Sequence, residues 1–260
     1  MTQPSGIQPN LFPQAFSLEL PDVVQTNHHA PHLSSRYGHI NSADVLNALK
    51  LEGYAVTTVG TPKSKSIFGK HVMHLEHQQA RGSGFTPQIV IVNSHDGSTA
   101  YRLHIALLEH NTGQTLIVGS EWGRLRVMHT KKVVLEVVNA TKMLAAESPK
   151  LAAVVEAMKN RMLSVEYQRW YAELALRARF SDDKRPISED ELLFSSGESL
   201  CPRSVWDTFQ RCQKRLIAGG LKGKTPKGKP TTTRLISSPM RKVAICTTLW
   251  MLAERLASLN

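Results

Sequence analysis

A strongly apolar stretch with one polar interruption, Pro87 to Leu108, constrains the fold more than any other part of the chain. Within it, Ile89 to Val92 is an unbroken β-branched run, which favours a strand buried on both faces because a half-exposed strand would alternate with polar residues. Turn-forming residues follow from 93 to 98, and the chain is apolar again from Ala100. A strand, a turn and a second strand therefore place four candidate structural turn residues at one end of a sheet: Asn93, His95, Asp96 and Gly97.

The residues around this stretch predict further strands and a short preceding helix. Asn41 is a good helix cap, and Gly53 is a good terminator for the helix between them. Two alternating segments, Tyr54 to Val59 and His71 to His77, predict a hairpin whose tip is long and basic. Two short strands, 115–118 and 125–128, complete a sheet that we expect to be mostly antiparallel.

After the strands the apolar spacing becomes helical. A helix is expected from about Lys131, and an apolar stripe after Pro149 predicts one long helix to about Arg179. Because the helix, the strands and the later helices come in blocks, the sequence predicts the α+β class: a mostly antiparallel sheet with a preceding short helix, long following helices and a helical C-terminal part.

Composition changes along the chain predict three parts. Residues 1–35 are rich in proline and glutamine with little periodicity, and we expect a flexible N-terminal arm. Residues 36–180 form the α+β core, and 181–260 form an acidic linker with a basic helical region. In that region Ser204 with Asp207 predicts a helix start, Gly219 with Gly220 predicts its end, and a last helix is expected from about Lys242 to Leu259.

The charge balance indicates the class of partner. The 260 residues carry a formal net charge of +11, which favours a polyanion such as nucleic acid. No apolar run reaches the roughly 18 residues of a membrane span, and the N-terminus does not resemble a signal peptide. We therefore expect a cytoplasmic protein without a membrane partner. Three widely spaced cysteines, Cys201, Cys212 and Cys246, favour free thiols.

Two basic segments are the candidate nucleic-acid contacts. The segment from Thr208 to Ala253 contains no Asp or Glu, and its loop GLKGKTPKGKPTTTR can follow a phosphate backbone. The predicted hairpin tip is also basic, and Phe68 and Tyr101 could stack on bases beside it. The predicted contact residues are Lys63, Lys65, Lys70, His71, Arg102, Lys222, Lys224, Lys227 and Lys229.

One segment, AGGLKGKT from Ala218 to Thr225, matches a relaxed phosphate-loop pattern. A phosphate loop follows a strand and opens a helix, whereas here a predicted helix precedes the segment and Pro226 and Pro230 oppose a following one. The sequence therefore predicts neither a bound nucleotide cofactor nor nucleotide hydrolysis.

The histidines leave a catalytic alternative open. His95 and Asp96 with one histidine of the His71 to His77 strand could hold zinc, manganese or iron, and a metal-dependent hydrolase or nuclease would follow. The chain has no HExxH motif or Cys/His spacing, so capped turns and exposed imidazoles are favoured and no metal or catalytic residue is predicted. A third alternative is an interaction protein whose basic surface binds an acidic protein or a ribonucleoprotein.

The motif NSHDGSTAYRL at Asn93 to Leu103 resembles the domain of unknown function numbered 932, a family of phage- and plasmid-borne proteins. The chain departs from the family where a Cys-x-Asn-Gly-Leu segment is usual, since it has NTGQTL from Asn111. Further matches are Arg36-Tyr37, Gly53-Tyr54, His71, Ile117-Val118-Gly119, Val127, His129-Thr130, Ala175-Leu176-Arg177, Trp206, Phe209, Gln213, Gly219-Gly220-Leu221, Leu249-Trp250 and Leu252-Ala253-Glu254.

The resemblance implies an association with mobile elements and no established activity. The order of helix, antiparallel strands and long helix also resembles the core of RecT/Redβ and Erf single-strand annealing proteins, which implies oligomers that hold single-stranded DNA in a basic groove. We therefore expect a homo-oligomeric protein that binds single-stranded DNA, with RNA not excluded, and promotes annealing without a small-molecule substrate.

Overall fold

The computed structural model describes residues 19–34, 37–61, 66–77, 84–127, 133–181, 184–195, 197–198 and 201–259. The helices are α1 (Asp22–Gln25), α2 (Ser42–Leu51), α3 (Val133–Glu147), α4 (Pro149–Asn160), α5 (Val165–Arg179), α6 (Glu189–Leu193), α7 (Val205–Ala218) and α8 (Pro239–Ser258). The strands are β1 (Tyr54–Gly60), β2 (His71–His77), β3 (Phe85–Asn93), β4 (Tyr101–Glu109), β5 (Gln114–Ile117), β6 (Arg124–Val127), β7 (Met162–Leu163), β8 (Arg203–Ser204), β9 (Lys222–Lys224) and β10 (Pro230–Thr232). The predicted α+β class is confirmed.

The main sheet is antiparallel throughout its described pairs. Its order is β1-β2-β3-β4-β5, and β6 pairs with the part of β4 that β5 leaves uncovered. The run Ile89 to Val92 lies at its centre, and each of the four residues is at most 3% exposed. The predicted doubly buried strand is confirmed.

The two faces of this sheet bury different sets of side chains, because neighbouring residues on a strand point to opposite sides. Ile91 points to the first face, where the main core lies. Val90 and Val92 point to the second face, where Val243 and Cys246 of α8 cover them. The helix α8 therefore packs on the second face, and part of that face remains beside it.

The main core extends from the sheet into the helices that follow it. Tyr171 of α5 is fully buried and donates its hydroxyl hydrogen bond to the carbonyl of Leu249 in α8 over 2.9 Å. A Cβ atom on Gly119 would lie 2.2 Å from the carbonyl oxygen of Thr247, so α8 approaches the chain after β5 at backbone distance. The main core includes residues on both sides of position 180, where the sequence predicted the end of the α+β core. None of the described helices is both long enough and apolar enough to cross a membrane.

The long helix predicted from Pro149 to Arg179 is wrong. Its apolar stripe belongs to two helices, because α4 ends at Asn160 and α5 begins at Val165. Ser164 caps α5 by accepting a hydrogen bond from the Tyr167 amide, and the intervening β7 pairs with β8. The break depends on the pairing of β7 with β8, which lies some 40 residues later in the chain. The apolar spacing continues across the break and therefore does not show it.

Residues 19–34 differ from the predicted flexible arm, whereas 1–18 and 35 lie outside the described residues. Val23 and Val24 of α1 are 5% and 0% exposed. The Ala30 amide donates to the carbonyl of His95 over 2.9 Å. This segment packs on the end of the sheet because two adjacent valines and a buried turn meet there.

The basic loop after α7 also differs from the prediction, since it forms the hairpin of β9 and β10. The amide of Lys224 donates to the carbonyl of Pro186 over 2.8 Å, which anchors the hairpin to the segment before α6. A phosphate loop would open a helix. Within the described residues from AGGLKGKT to Ser238, the chain forms β9 and β10 and no helix. The helix α6 lies in the segment predicted as an acidic linker, and Ser188 and Glu191 form its capping box.

Candidate nucleic-acid interface

The motif at the end of β3 is packed between the sheet and the first two helices. Asn93 and His95 are both fully buried. The Asn93 amide donates to the hydroxyl of Ser42 over 3.1 Å, and Nε2 of His95 donates to the carbonyl of Val23 over 2.8 Å. These bonds hold α1 and α2 against the sheet, which is a structural function for the motif.

Asp96 lies in the turn itself and is partly exposed. Its Oδ1 atom accepts the amide of Ser98 over 2.9 Å. Partial burial alone would raise the pKa of Asp96, but the hydrogen bonds from Ser98 and Ser94 outweigh it and the pKa lies below its usual value. Gly97 has a φ of 73°, in the left-handed region that glycine adopts most easily.

His71 does not reach the surface, which contradicts its predicted contact with nucleic acid. Its side chain is fully buried, with Nε2 2.9 Å from the hydroxyl of Ser42 and Nδ1 3.2 Å from the carbonyl of Gly69. Burial lowers the pKa of His71 to about 4, against the smaller opposite effect of the Gly69 hydrogen bond. The imidazole is therefore neutral at pH 7. The residues of β2 around His71 follow the pattern of a strand in the core.

The described histidines do not form the metal site that the catalytic alternative requires. The rings of His39 and His71 lie 4.8 and 5.2 Å from that of His95, centre to centre. No group of three or more His, Cys, Asp or Glu side chains could hold a metal ion in the described ranges. His95 binds Val23 while Asp96 binds Ser98, so the two candidate ligands serve different contacts.

Three arginines lie together on the second face of the sheet. Arg102 of β4 is directly opposite Arg126 of β6, and Arg124 is opposite His104 two residues along. We call Arg102, Arg124 and Arg126 the arginine surface. All three side chains are exposed. Like charges on directly opposed residues destabilise a sheet, so this arrangement favours an anionic partner.

Carboxylates do little to neutralise the arginine surface. Arg124 lies 3.9 Å from Glu121, whose side chain is 95% exposed and free to move in solvent. Arg102 and Arg126 have no ion pair with any carboxylate in the described part of the chain. His104 lies beside them. Its pKa is lowered to about 4, mainly by burial and further by the charges of Arg102 and Arg124. Arg102 and Arg126 thus keep charges that no described carboxylate balances, beside a neutral imidazole.

Sequence reasoning identified Arg102 and missed Arg124 and Arg126. The available signal was the alternation Arg124-Leu125-Arg126-Val127, which places both arginines on one face of a strand. Their approach to Arg102 depends on the pairing of β6 with β4, which the alternation alone does not specify.

The predicted lysines lie on a second basic element. We call Lys222, Lys224, Lys227 and Lys229, all of them exposed, the lysine hairpin. Lys222 and Lys224 share one face of β9 because they are two residues apart. Lys70 is half-buried just before β2, whereas Lys63 and Lys65 lie outside the described residues.

The aromatic residues differ from the predicted stacking groups. Tyr101 is fully buried in the main core, so its predicted stacking on bases is wrong. Phe68 is half-buried and packs edge-on against His28, with ring centres 5.4 Å apart. Among the described residues, two aromatic side chains are mostly exposed, Tyr167 and Trp170, at 56% and 51%, one turn apart on α5. Sequence reasoning placed Trp170 within the predicted long helix and named neither of these two residues as a stacking group.

Two curated proteins of Escherichia coli (strain K12) are similar to the chain over most of its length. The UPF0380 protein YfjQ is 28% identical over 242 residues, which cover 91% of this chain and 88% of that protein. The UPF0380 protein YafZ is 28% identical over 241 residues, with the same coverage of 91% and 88%. No solved structure matches the chain significantly.

A family model also matches, and it spans most of the fold. The model described as "Domain of unknown function (DUF932)" covers residues 30–250, which include the main sheet, the arginine surface and the lysine hairpin. The resemblance expected from NSHDGSTAYRL is confirmed, and the chain belongs to the DUF932 family.

Proposed function

We propose that this protein binds single-stranded nucleic acid through its phosphate backbone. The observation that carries the proposal is the opposed pair Arg102 and Arg126, two exposed guanidinium groups without a carboxylate partner among the described residues. A phosphate between them would replace mutual repulsion by charge-assisted hydrogen bonds, and a guanidinium can bind a phosphate through two N–H groups at once.

The lysine hairpin supplies a second contact of a different kind. Its four ammonium groups stand on flexible stems, so they follow a backbone as mobile charges and do not read bases. Tyr167 and Trp170 are exposed aromatic faces of the kind on which unpaired bases stack. The net charge of +11 favours the same class of partner.

Annealing of complementary strands by a homo-oligomer is the activity that we propose for this binding. Its support is the order of helix, antiparallel strands and long helix in the sequence, which resembles that of single-strand annealing proteins, although the structure divides the long helix into α4 and α5. Light scattering of the purified protein, with and without a single-stranded oligonucleotide, measures the oligomer. A particle of one chain under both conditions would contradict this part of the proposal.

Changing all four lysines of the lysine hairpin to glutamine is expected to weaken binding about threefold to tenfold, equally for unrelated sequences. The slope of log affinity against log salt should fall by about 0.7 to 1.4, the equivalent of one or two contacts, since each lost contact to a single strand removes about 0.7. The measurement is electrophoretic mobility of labelled single-stranded DNA and RNA, with duplexes beside them, across a salt series.

A matched control removes the same charge elsewhere. Lys50, Lys142, Lys159 and Arg255 are exposed residues outside the lysine hairpin, and their change to glutamine gives the same net charge. An equal loss of affinity in this control would attribute the effect to net charge. Unchanged binding in the hairpin variant would remove the hairpin from the proposed interface.

A further inference from the structure

A cavity of about 560 Å³ lies on the second face of the sheet, and no residue of the arginine surface lines it. Strands β2, β3 and β5 contribute to its floor, while the end of α7 and the start of α8 form its wall. Ligand pockets are commonly of about 300–1,000 Å³, so the space is sufficient for a small organic molecule.

One buried amide lines this cavity with an unused acceptor. Gln213 is 1% exposed, and its Nε2 atom donates to the carbonyl of Thr115 over 2.9 Å. Because a carbonyl only accepts, the amide nitrogen must face Thr115 and the Oε1 atom faces elsewhere. That Oε1 atom is buried and has no hydrogen-bond partner among the described residues. Leaving a buried acceptor unsatisfied costs about 1–3 kcal/mol, which a ligand donor would recover.

A second amide at the same cavity has an unused donor. The Nε2 atom of Gln114, at the start of β5, is buried and also has no hydrogen-bond partner within the described part of the chain. Both residues line the cavity while their unpaired polar atoms are covered, so a small side-chain rotation would present an acceptor and a donor to a ligand. Amide side chains of this kind pair with the donor and acceptor edges of nucleobases.

The charges around the cavity favour an anionic group on the ligand. Lys214 of α7 and Lys242 of α8 line it, and neither has an ion pair with a described carboxylate. Glu76 is the one carboxylate among the described lining residues, and it accepts a hydrogen bond from the Gln88 amide over 2.8 Å. Two ammonium groups against one carboxylate leave the lining positive.

We propose that this cavity binds a single nucleotide, with the base at the amides of Gln213 and Gln114 and the phosphate at Lys214 and Lys242. The inference deepens the proposed function, since the nucleotide is either one residue of a bound strand or a free mononucleotide. Apolar side chains such as Ile117 and Val243 would cover the faces of the base.

Calorimetric titration of the full chain tests the proposal with five compounds: the 5′-monophosphates of adenosine, guanosine, cytidine and uridine, and ribose 5-phosphate. At least one nucleotide is expected to bind once per chain and more tightly than ribose 5-phosphate. Gln213→Leu should weaken that nucleotide about tenfold, the equivalent of one buried hydrogen bond, and leave ribose 5-phosphate unchanged. Lys214→Gln should weaken both compounds.

The matched control is Gln210→Leu, a partly exposed residue one turn earlier on α7 that does not line the cavity. It should leave every affinity unchanged. If Gln213→Leu does not fold, Gln114→Leu and Lys214→Gln test the base and phosphate positions separately. Equal affinity for ribose 5-phosphate and all four nucleotides, or no binding of any compound, would overturn the proposal.

Competition with a single-stranded oligonucleotide separates the two sources of the nucleotide. Displacement of the mononucleotide would show that the cavity holds a nucleotide of the strand, and simultaneous binding would show that it holds a free nucleotide. Both results support nucleotide binding in the cavity. The failure of the two proposals is also distinguishable. Strand binding without nucleotide binding would overturn only the proposed nucleotide site in the cavity. Nucleotide binding without strand binding would overturn only the proposed function.

Discussion

The double substitution Arg102→Gln and Arg126→Gln is expected to weaken binding of single-stranded DNA by about tenfold to a hundredfold while making the free protein more stable. The affinity falls because a hydrogen bond to a charged group contributes about 1.5–3 kcal/mol and a neutral one about 0.5–1.5 kcal/mol, so each change to glutamine loses about 1 kcal/mol. The salt slope should fall by about 1.4, since each contact to a single strand accounts for about 0.7. Mobility shifts across a salt series measure both quantities.

Stability should change in the opposite direction because the two guanidinium groups repel each other across β4 and β6. A like-charge pair directly opposed in a sheet destabilises it by about 0.2–1 kcal/mol, and glutamine keeps a stem of similar shape without the charge. Urea unfolding at low ionic strength should therefore show a higher midpoint for the double variant, and high salt should reduce the difference.

The opposite directions of the two effects make this experiment specific. Arg161→Gln with Arg255→Gln removes two exposed arginines elsewhere and should change neither quantity much. A variant that loses binding and stability together would indicate structural damage. A variant that gains stability and binds normally would show that the arginine surface repels without binding nucleic acid.

Lowering the pH from 7 to 4 is expected to destabilise the fold by several kcal/mol through its buried histidines. The pKa of His71 and that of His104 are lowered to about 4, mainly by burial. Burial also lowers the pKa of His74. In the unfolded chain imidazoles take up protons near pH 6.5, whereas in the folded chain those of His71 and His104 stay neutral to about pH 4.

The unfolded state therefore binds more protons across this interval, and stability falls as the pH falls from about 6.5 to about 4. Two histidines shifted by this much contribute about 3 kcal/mol each by pH 4, as an order of magnitude. His104→Gln removes one of the two contributions, so the stability lost between pH 7 and pH 4 should shrink by about that amount. Urea unfolding at pH 7, 5.5 and 4 measures it. An unchanged pH dependence in His104→Gln would contradict the shifted pKa of this residue.

The sequence by itself determined those features that depend on neighbours along the chain. The β-branched run at Ile89 to Val92 predicted a strand buried on both faces, and the structure has it at the centre of the sheet. Asn41 and Ser204 accept the amide hydrogen bonds expected of helix caps. Gly219 ends α7 with a φ of 70°, as a residue without a Cβ atom can. Caps, terminators and alternation act within a few residues, so local reading suffices.

Only the tertiary structure decided which side chains reach the surface and which charges meet. His71 and Tyr101 are buried because their strands lie inside the sheet, and the alternation of each strand does not state which of its faces is covered. The break between α4 and α5 depends on the pairing of β7 with a distant β8. Arg102 lies opposite Arg126 because β6 pairs with β4, and Gln213 lines the cavity while its amide nitrogen is held by the carbonyl of Thr115, 98 residues earlier in the chain. Contacts between distant segments form only when the whole chain packs, so periodicity and spacing could name candidate residues but could not bring them together.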